Sequence, residues 1–120
     1  MDFQNGIPIY TQVINAIKEQ LITGERCPGD KLPSSRELAQ QFRINPNTAA
    51  RVYAEMDSMG LTFTKRGIGT FVTTDEEKIK CMRESYTEEL LDEFISKMKR
   101  IGYDPSQLPK LLESFGKGGK

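Results

Sequence analysis

Between Pro33 and Val72 the chain reads PSSRELAQQFRINPNTAARVYAEMDSMGLTFTKRGIGTFV. Two short helical patterns follow one another directly, each with its own start signal, and two β-prone runs then flank a basic, glycine-containing turn. Ser34 and Glu37 have capping-box spacing, in which the serine oxygen and the glutamate carboxylate each satisfy an orphan backbone N–H. Leu38, Ala39 and Phe42 give that helix its apolar side. Asn45-Pro46 is the second start, a capping residue before a proline whose missing N–H costs nothing at the first helical position. The helix it opens runs to about Met59 and stops at Gly60, with Ala49, Val52, Tyr53 and Met56 on its core side. Leu61–Thr64 and Thr70–Val72 form a hairpin around Lys65-Arg66-Gly67-Ile68-Gly69. Two helices separated only by Arg43-Ile44, followed by a hairpin, describe a winged helix-turn-helix, which presents one helix and one wing to duplex nucleic acid.

The flanking segments read as support. Ile9, Tyr10, Val13, Ile14, Ile17, Leu21 and Ile22 recur at helical spacing between Pro8 and Gly24, the pattern of a scaffold helix. Pro28-Gly29-Asp30 marks a turn, after which Lys31-Leu32 can add a very short strand to the wing. Thr74 and Glu77 repeat the capping spacing, and a long helix is expected to about Ile101, before Gly102. Ile79, Met82, Tyr86, Leu90, Phe94, Met98 and Ile101 advance along it by three or four residues, with Leu91 and Ile95 widening the stripe. At 1.5 Å per residue such a helix is ~40 Å long, and the short helix that Asp104-Pro105 opens, carrying Leu108, Leu111, Leu112 and Phe115, offers few groups to cover it. A second copy of the chain is the expected cover, with Ile79, Met82, Tyr86, Leu90, Leu91, Phe94, Ile95 and Met98 as the dimer interface. The expected fold is mainly α with a small β wing: a winged helix-turn-helix over residues 1–73, a two-helix dimerisation region over 74–116 and a flexible tail over 117–120.

Seventeen bases balance seventeen acids, so net charge alone argues against a nucleic-acid partner. The distribution argues for one. Six bases face three acids between Lys31 and Thr70, a net of +3, whereas Glu84–Glu93 holds five acids and no base. Arg36 falls in the first turn of the first short helix, away from its apolar side, within reach of a phosphate. On the second, the side opposite the core shows Asn47, Ala50, Arg51 and Ala54, with Thr48 at its edge. Asn47 can pair with adenine and Arg51 with guanine or a phosphate, while the small alanines let the helix approach the groove. Lys65 and Arg66 supply charge at the wing, and Gly67 and Gly69 let its backbone lie against the sugar–phosphate rail. Taken singly, each pattern is equally that of a solvated surface.

Catalysis is unsupported. With no histidine, the commonest general base and the commonest metal-ligating nitrogen are missing. Cys27 and Cys81 lie far apart and read as free thiols, Gly67-Ile68-Gly69 opens no helix as a dinucleotide loop must, and the S-x-x-K match at Ser114–Lys117 lies near the end. No cofactor or metal is expected. Neither a signal peptide nor a membrane span is apparent, so a cytoplasmic location is expected.

The run PGDKLPSSRELAQQFRINPNTAARVYAEMDSMGLTFTKRGIGTFV resembles the DNA-binding domain of the GntR family of bacterial transcriptional regulators. The resemblance rests on Pro28-Gly29-Asp30, Leu32-Pro33-Ser34 before Arg36-Glu37-Leu38-Ala39, Asn47-Thr48, Gly60-Leu61 and the Gly67-x-Gly69-Thr70-Phe71-Val72 ending. It implies that Arg36, Asn45, Asn47, Thr48, Arg66 and Gly67 contact the operator. Two arginines common in the family are replaced by Pro46 and Ala50, which leaves Arg51 to take over part of their role. The short remainder is similar to the YtrA-type subfamily, whose members lack a large effector domain and dimerise through such helices. The implied function is a homodimeric repressor of a palindromic operator in double-stranded DNA, with transporter genes as one candidate target. The alternatives are a protein-interaction adaptor that uses the winged helix without DNA, and, remotely, a thiol enzyme acting through Cys27 or Cys81. An unknown small-molecule effector bound between the winged domains and the C-terminal helices would alter half-site spacing; no convergent polar cluster in the sequence identifies one.

Overall fold

Both start signals of the helix-turn-helix are matched by hydrogen bonds in the structure, a computed structural model that describes residues 2–118. Ser34 Oγ accepts the Glu37 N–H at 3.1 Å, and Glu37 Oε1 accepts the Ser34 N–H at 2.8 Å. The Ser34 backbone N–H, and after it the Ser34 side chain, hold the Glu37 carboxyl below its ordinary pKa by hydrogen bonding to the carboxylate. Asn45 Oδ1 accepts the Asn47 N–H at 2.7 Å, with Pro46 next in the chain. The helices that follow are α2 (Ser35–Phe42) and α3 (Pro46–Ser58). Between them Arg43 takes φ 56°, the only positive value at a non-glycine among the described residues, and its N–H closes α2 against the carbonyls of Ala39 and Gln40.

Ahead of this pair, α1 spans Ile9–Thr23; behind it lie β1 (Thr62–Lys65), β2 (Gly69–Val72), α4 (Glu76–Arg100), a single 3₁₀ turn (Pro105–Gln107) and α5 (Leu108–Gly118). Two compact units divide between Arg83 and Glu84, inside α4. The core of the first takes Val13, Ile14, Ile17 and Leu21 from α1, Leu38 and Ala39 from α2, and Ala49, Val52, Tyr53 and Met56 from α3. Leu32, Leu61 and Val72 close it beside the sheet. The whole core side expected of α3 is therefore buried.

The strands pair antiparallel, Thr62 with Val72 through Lys65 with Gly69. The short third strand is a single bridge, Lys31 to Phe71, flanked by the Leu32 N–H to Thr70 carbonyl bond at 2.8 Å and the Val72 N–H to Asp30 carbonyl bond at 2.8 Å. The hydroxyl face of the hairpin turns inward, burying Thr62 and Thr70, while Phe63 and Phe71 stack on the outer face with ring centres 5.6 Å apart. Asp57, near the end of α3, makes this possible. Its carboxylate accepts the hydroxyls of Thr62 and, at 2.7 Å, Thr64, and the Thr64 and Thr70 hydroxyls bond to each other at 2.9 Å. Inward threonines cost little when every hydroxyl is partnered.

Two details of α4 depart from expectation. Its cap is Asp75 rather than Thr74: Asp75 Oδ1 accepts the Glu77 N–H at 3.0 Å, and the Thr73 hydroxyl receives the Asp75 N–H at 3.1 Å, so the chain turns into the helix one residue later. The apolar stripe is also divided. Met82 is 8% exposed inside the first unit's core and Ile79, half-buried, packs against that core, so both have cover within the chain. In the second unit Tyr86, Ile95 and Met98 are half-buried, whereas Leu90, Leu91 and Phe94 are exposed, the two leucines by 50% and 52%. Asp104 and Gln107 form a capping box before the 3₁₀ turn, and Pro109 is accommodated in the first turn of α5. Lys117 is still within α5, its ammonium 3.6 Å from the Glu113 carboxylate; Gly119 and Lys120 lie outside the described residues.

Tyr53 ties α3 to the entry of α2, its hydroxyl donating to the Pro33 carbonyl at 2.6 Å. Burial pushes this phenol up to about 12. Tyr53→Phe is expected to cost about 1 kcal/mol of unfolding free energy near neutral pH, because the Pro33 carbonyl loses its partner. A fold that raises an acid's pKa gains stability below the unfolded value and loses it as pH rises through the folded one. The gap between parent and variant should therefore close soon after pH passes ~10 and reverse before about 12, because a rise of about two pH units, worth roughly 1.4 kcal/mol each, outweighs the bond. Denaturant titration across that range checks both statements, and a variant as stable as the parent throughout would contradict them.

Candidate nucleic-acid interface

The exposed side of α3 carries Asn47, Ala50, Arg51 and Ala54, with Thr48 half-buried beside them. Asn45 has its side-chain oxygen committed to the cap of this helix. It therefore acts first as the group that fixes where Asn47 and Thr48 begin. Arg36 is exposed in the first turn of α2, where its charge adds to the partial positive charge of unpaired backbone N–H groups.

Arg51 does not hang free. Its guanidinium carbon lies 3.8 Å from the centre of the Tyr10 ring, and its Nε is 4.0 Å from a carboxylate oxygen of Glu55. The side chain nevertheless remains 57% exposed. Lys65 behaves differently from a simple phosphate ligand as well: its ammonium lies 5.8 Å from the Phe63 ring centre and 5.5 Å from that of Phe71, along the outer face of the hairpin.

At the wing tip Arg66, Gly67 and Ile68 are all exposed, and the Ile68 N–H closes the turn on the Lys65 carbonyl at 2.9 Å. Gly67 has φ 78°, a conformation that side chains resist, in open space. Gly69 has φ 148°, a conformation that side chains rarely adopt, and the Lys31 Cε that a Cβ would meet at 2.8 Å is the end of a flexible side chain that can move aside. The tip is thus a narrow backbone ridge with one arginine on it.

In the sequence Tyr10 belongs to the core stripe, and Asp57 is one of the three acids between Lys31 and Thr70. Tyr10 is half-buried against the core and also carries Arg51; Asp57 fastens the wing to α3. The signal for Asp57 was the Thr62, Thr64 and Thr70 set, three hydroxyls that needed an acceptor once turned inward. Cys27 and Cys81 are free thiols at the surface, and among the described residues no helix is long and apolar enough to cross a membrane.

The segment that forms α1 through β2 matches a family model, that of bacterial regulatory proteins of the gntR family, over residues 9–72. The chain belongs to the gntR family. The matched segment ends with β2, at the last residue of the wing. Among its relatives, the HTH-type transcriptional regulator YhcF of Bacillus subtilis is 39% identical over 98% of this chain and 97% of its own length. The HTH-type transcriptional repressor YtrA of the same organism is 37% identical over 77% of this chain and 75% of its own. A GntR family transcriptional regulator from Listeria monocytogenes superposes with a TM-score of 0.84 at 33% identity, covering 93% of this chain and 98% of that one. The DNA-binding domain of AraR, solved in complex with operator ORX1, superposes with a TM-score of 0.57 at 32% identity over 60% of this chain and 93% of its own. This gntR-family chain is a helix-turn-helix transcriptional regulator with a DNA-binding winged helix.

Proposed function

We propose that this gntR-family regulator is a cytoplasmic repressor that works as a homodimer on a palindromic operator, each subunit placing α3 in a major groove one helical turn from its partner's. The observation that carries the reading is the division of α3: one side buried to the last residue, the other offering Asn47, Thr48 and Arg51 beside a capped N-terminus. Asn47 and Arg51 meet base edges, with Thr48 at the start of the same turn. Arg36, the helix N-termini and the wing ridge of Arg66, Gly67 and Gly69 meet phosphate and sugar, which sets register and salt dependence. Lys65 steadies the outer face of the wing and adds charge near it. Residues 1–73 act as the reading head, and the helices beyond it pair two heads through Leu90, Leu91 and Phe94, with Tyr86, Ile95 and Met98 at the margin. The YtrA name supports repression, and the AraR complex supports operator binding by a head of this kind.

Selection of duplexes from a random-sequence pool by the protein tests the reading. Enrichment of an inverted repeat with half-site centres about 10 bp apart, or a multiple of that, is expected. Enriched sequences without two-fold symmetry would remove the paired heads, and no enrichment would favour an adaptor that does not read DNA. Arg66→Ala should weaken selected and random duplexes alike and reduce the slope of log affinity against log salt by about one. An unchanged slope would take Arg66 off the phosphate backbone.

A further inference from the structure

We propose that Tyr10, on the scaffold helix α1, is a positioning residue for sequence readout: its ring holds the Arg51 guanidinium in place before DNA arrives. The inference rests on the reading above, in which Arg51 meets the operator. Arg51 is the only basic residue of α3, so the order of this one side chain matters to the cationic contact the helix can make. An unrestrained arginine loses rotamer freedom when it is fixed on binding. A side chain already held loses less on binding, and the difference appears as affinity.

The geometry supplies the restraint. The guanidinium carbon stands 3.8 Å from the ring centre, well within the roughly 6 Å over which a cation is drawn to an aromatic face. Glu55, one turn further along α3, has a carboxylate oxygen 4.0 Å from the Arg51 Nε; an exposed pair of that length contributes little alone. Tyr10 is itself half-buried against the core, which fixes the ring, and Arg51 stays more than half exposed. A guanidinium resting on a ring face keeps its edge N–H groups available for a base edge or a phosphate. Core packing alone would be served by leucine or methionine at position 10. The aromatic face is what the contact uses, and the hydroxyl is dispensable.

The test measures affinity for a duplex selected by the wild-type protein and for a random duplex of equal length. Tyr10→Leu is expected to weaken selected-duplex binding by about two- to five-fold, the worth of an exposed cation–π contact, and to leave random-duplex binding unchanged. Tyr10→Phe should bind like the parent. In an Arg51→Ala background, Tyr10→Leu should have no further effect. A full loss persisting in that background, or a loss shared by Tyr10→Phe, would make Tyr10 merely structural and overturn the proposal. If Arg51→Ala weakens binding and Tyr10→Leu does not, the proposal alone falls; if Arg51→Ala has no effect, the operator contact falls and the proposal with it. Tyr10→Met serves where Tyr10→Leu folds poorly. In DNA-free protein, the Arg51 side-chain protons should show a ring-current upfield shift that Tyr10→Phe retains and Tyr10→Met abolishes. Its absence from the parent protein would also overturn the proposal.

Discussion

Phe94→Glu is expected to leave the chain monomeric and to weaken binding to a selected operator by about 10²-fold or more, while random duplex is bound nearly as before. The size follows from coupling. Once one head is seated, the second meets its half-site at an effective concentration set by the connection between heads, so its contacts multiply the affinity of the first. The reading head brings only a net +3 over Lys31–Thr70, and Pro46 and Ala50 add no cation at the groove, so a single head has little to spare. Phe94 stands with Leu90 and Leu91 as the exposed apolar part of α4, and a carboxylate buried there without a partner is costly. Sedimentation velocity gives the mass and fluorescence anisotropy the affinity. A dimeric Phe94→Glu protein with parental affinity would place the pairing surface elsewhere.

Asn47→Ala carries the next largest expected effect, a loss of about 1–3 kcal/mol on the selected duplex, concentrated at one or two base pairs. The Asn47 backbone N–H is occupied by the cap, but its side chain is exposed at the first turn of α3, where a carboxamide can both donate to and accept from adenine. The variant should discriminate less at those base pairs and bind random duplex as the parent does. Equal losses on both duplexes would make Asn47 a backbone contact instead.

How much of this was legible in the sequence depends on the kind of pattern. The core side of α3 follows from a 3.6-residue period, and Ser34 with Glu37 and Asn45 with Pro46 mark helix starts by local bonding that needs no tertiary partner. The hairpin was legible as an alternation, but a period of two says nothing about which face turns inward. That was decided by Asp57, which gives Thr62 and Thr64 an acceptor. The stripe of α4 keeps one spacing whether its cover is the chain's own core or a partner, so Met82 and Ile79 were indistinguishable from Leu90 until burial separated them. Tyr10 and Arg51 lie forty-one positions apart, and nothing local to either announces the contact. The sequence shows Lys65 as charge at the wing but not where its ammonium rests, 5.8 Å from the Phe63 ring centre and 5.5 Å from that of Phe71.

The central claim, that two coupled heads read two half-sites, is tested most directly by scrambling one half-site of a selected duplex and measuring the affinity of the unaltered protein. Loss of about 10²-fold or more is expected, together with protection of the remaining half-site alone at high protein concentration. Unchanged affinity for the half-scrambled duplex would contradict the account.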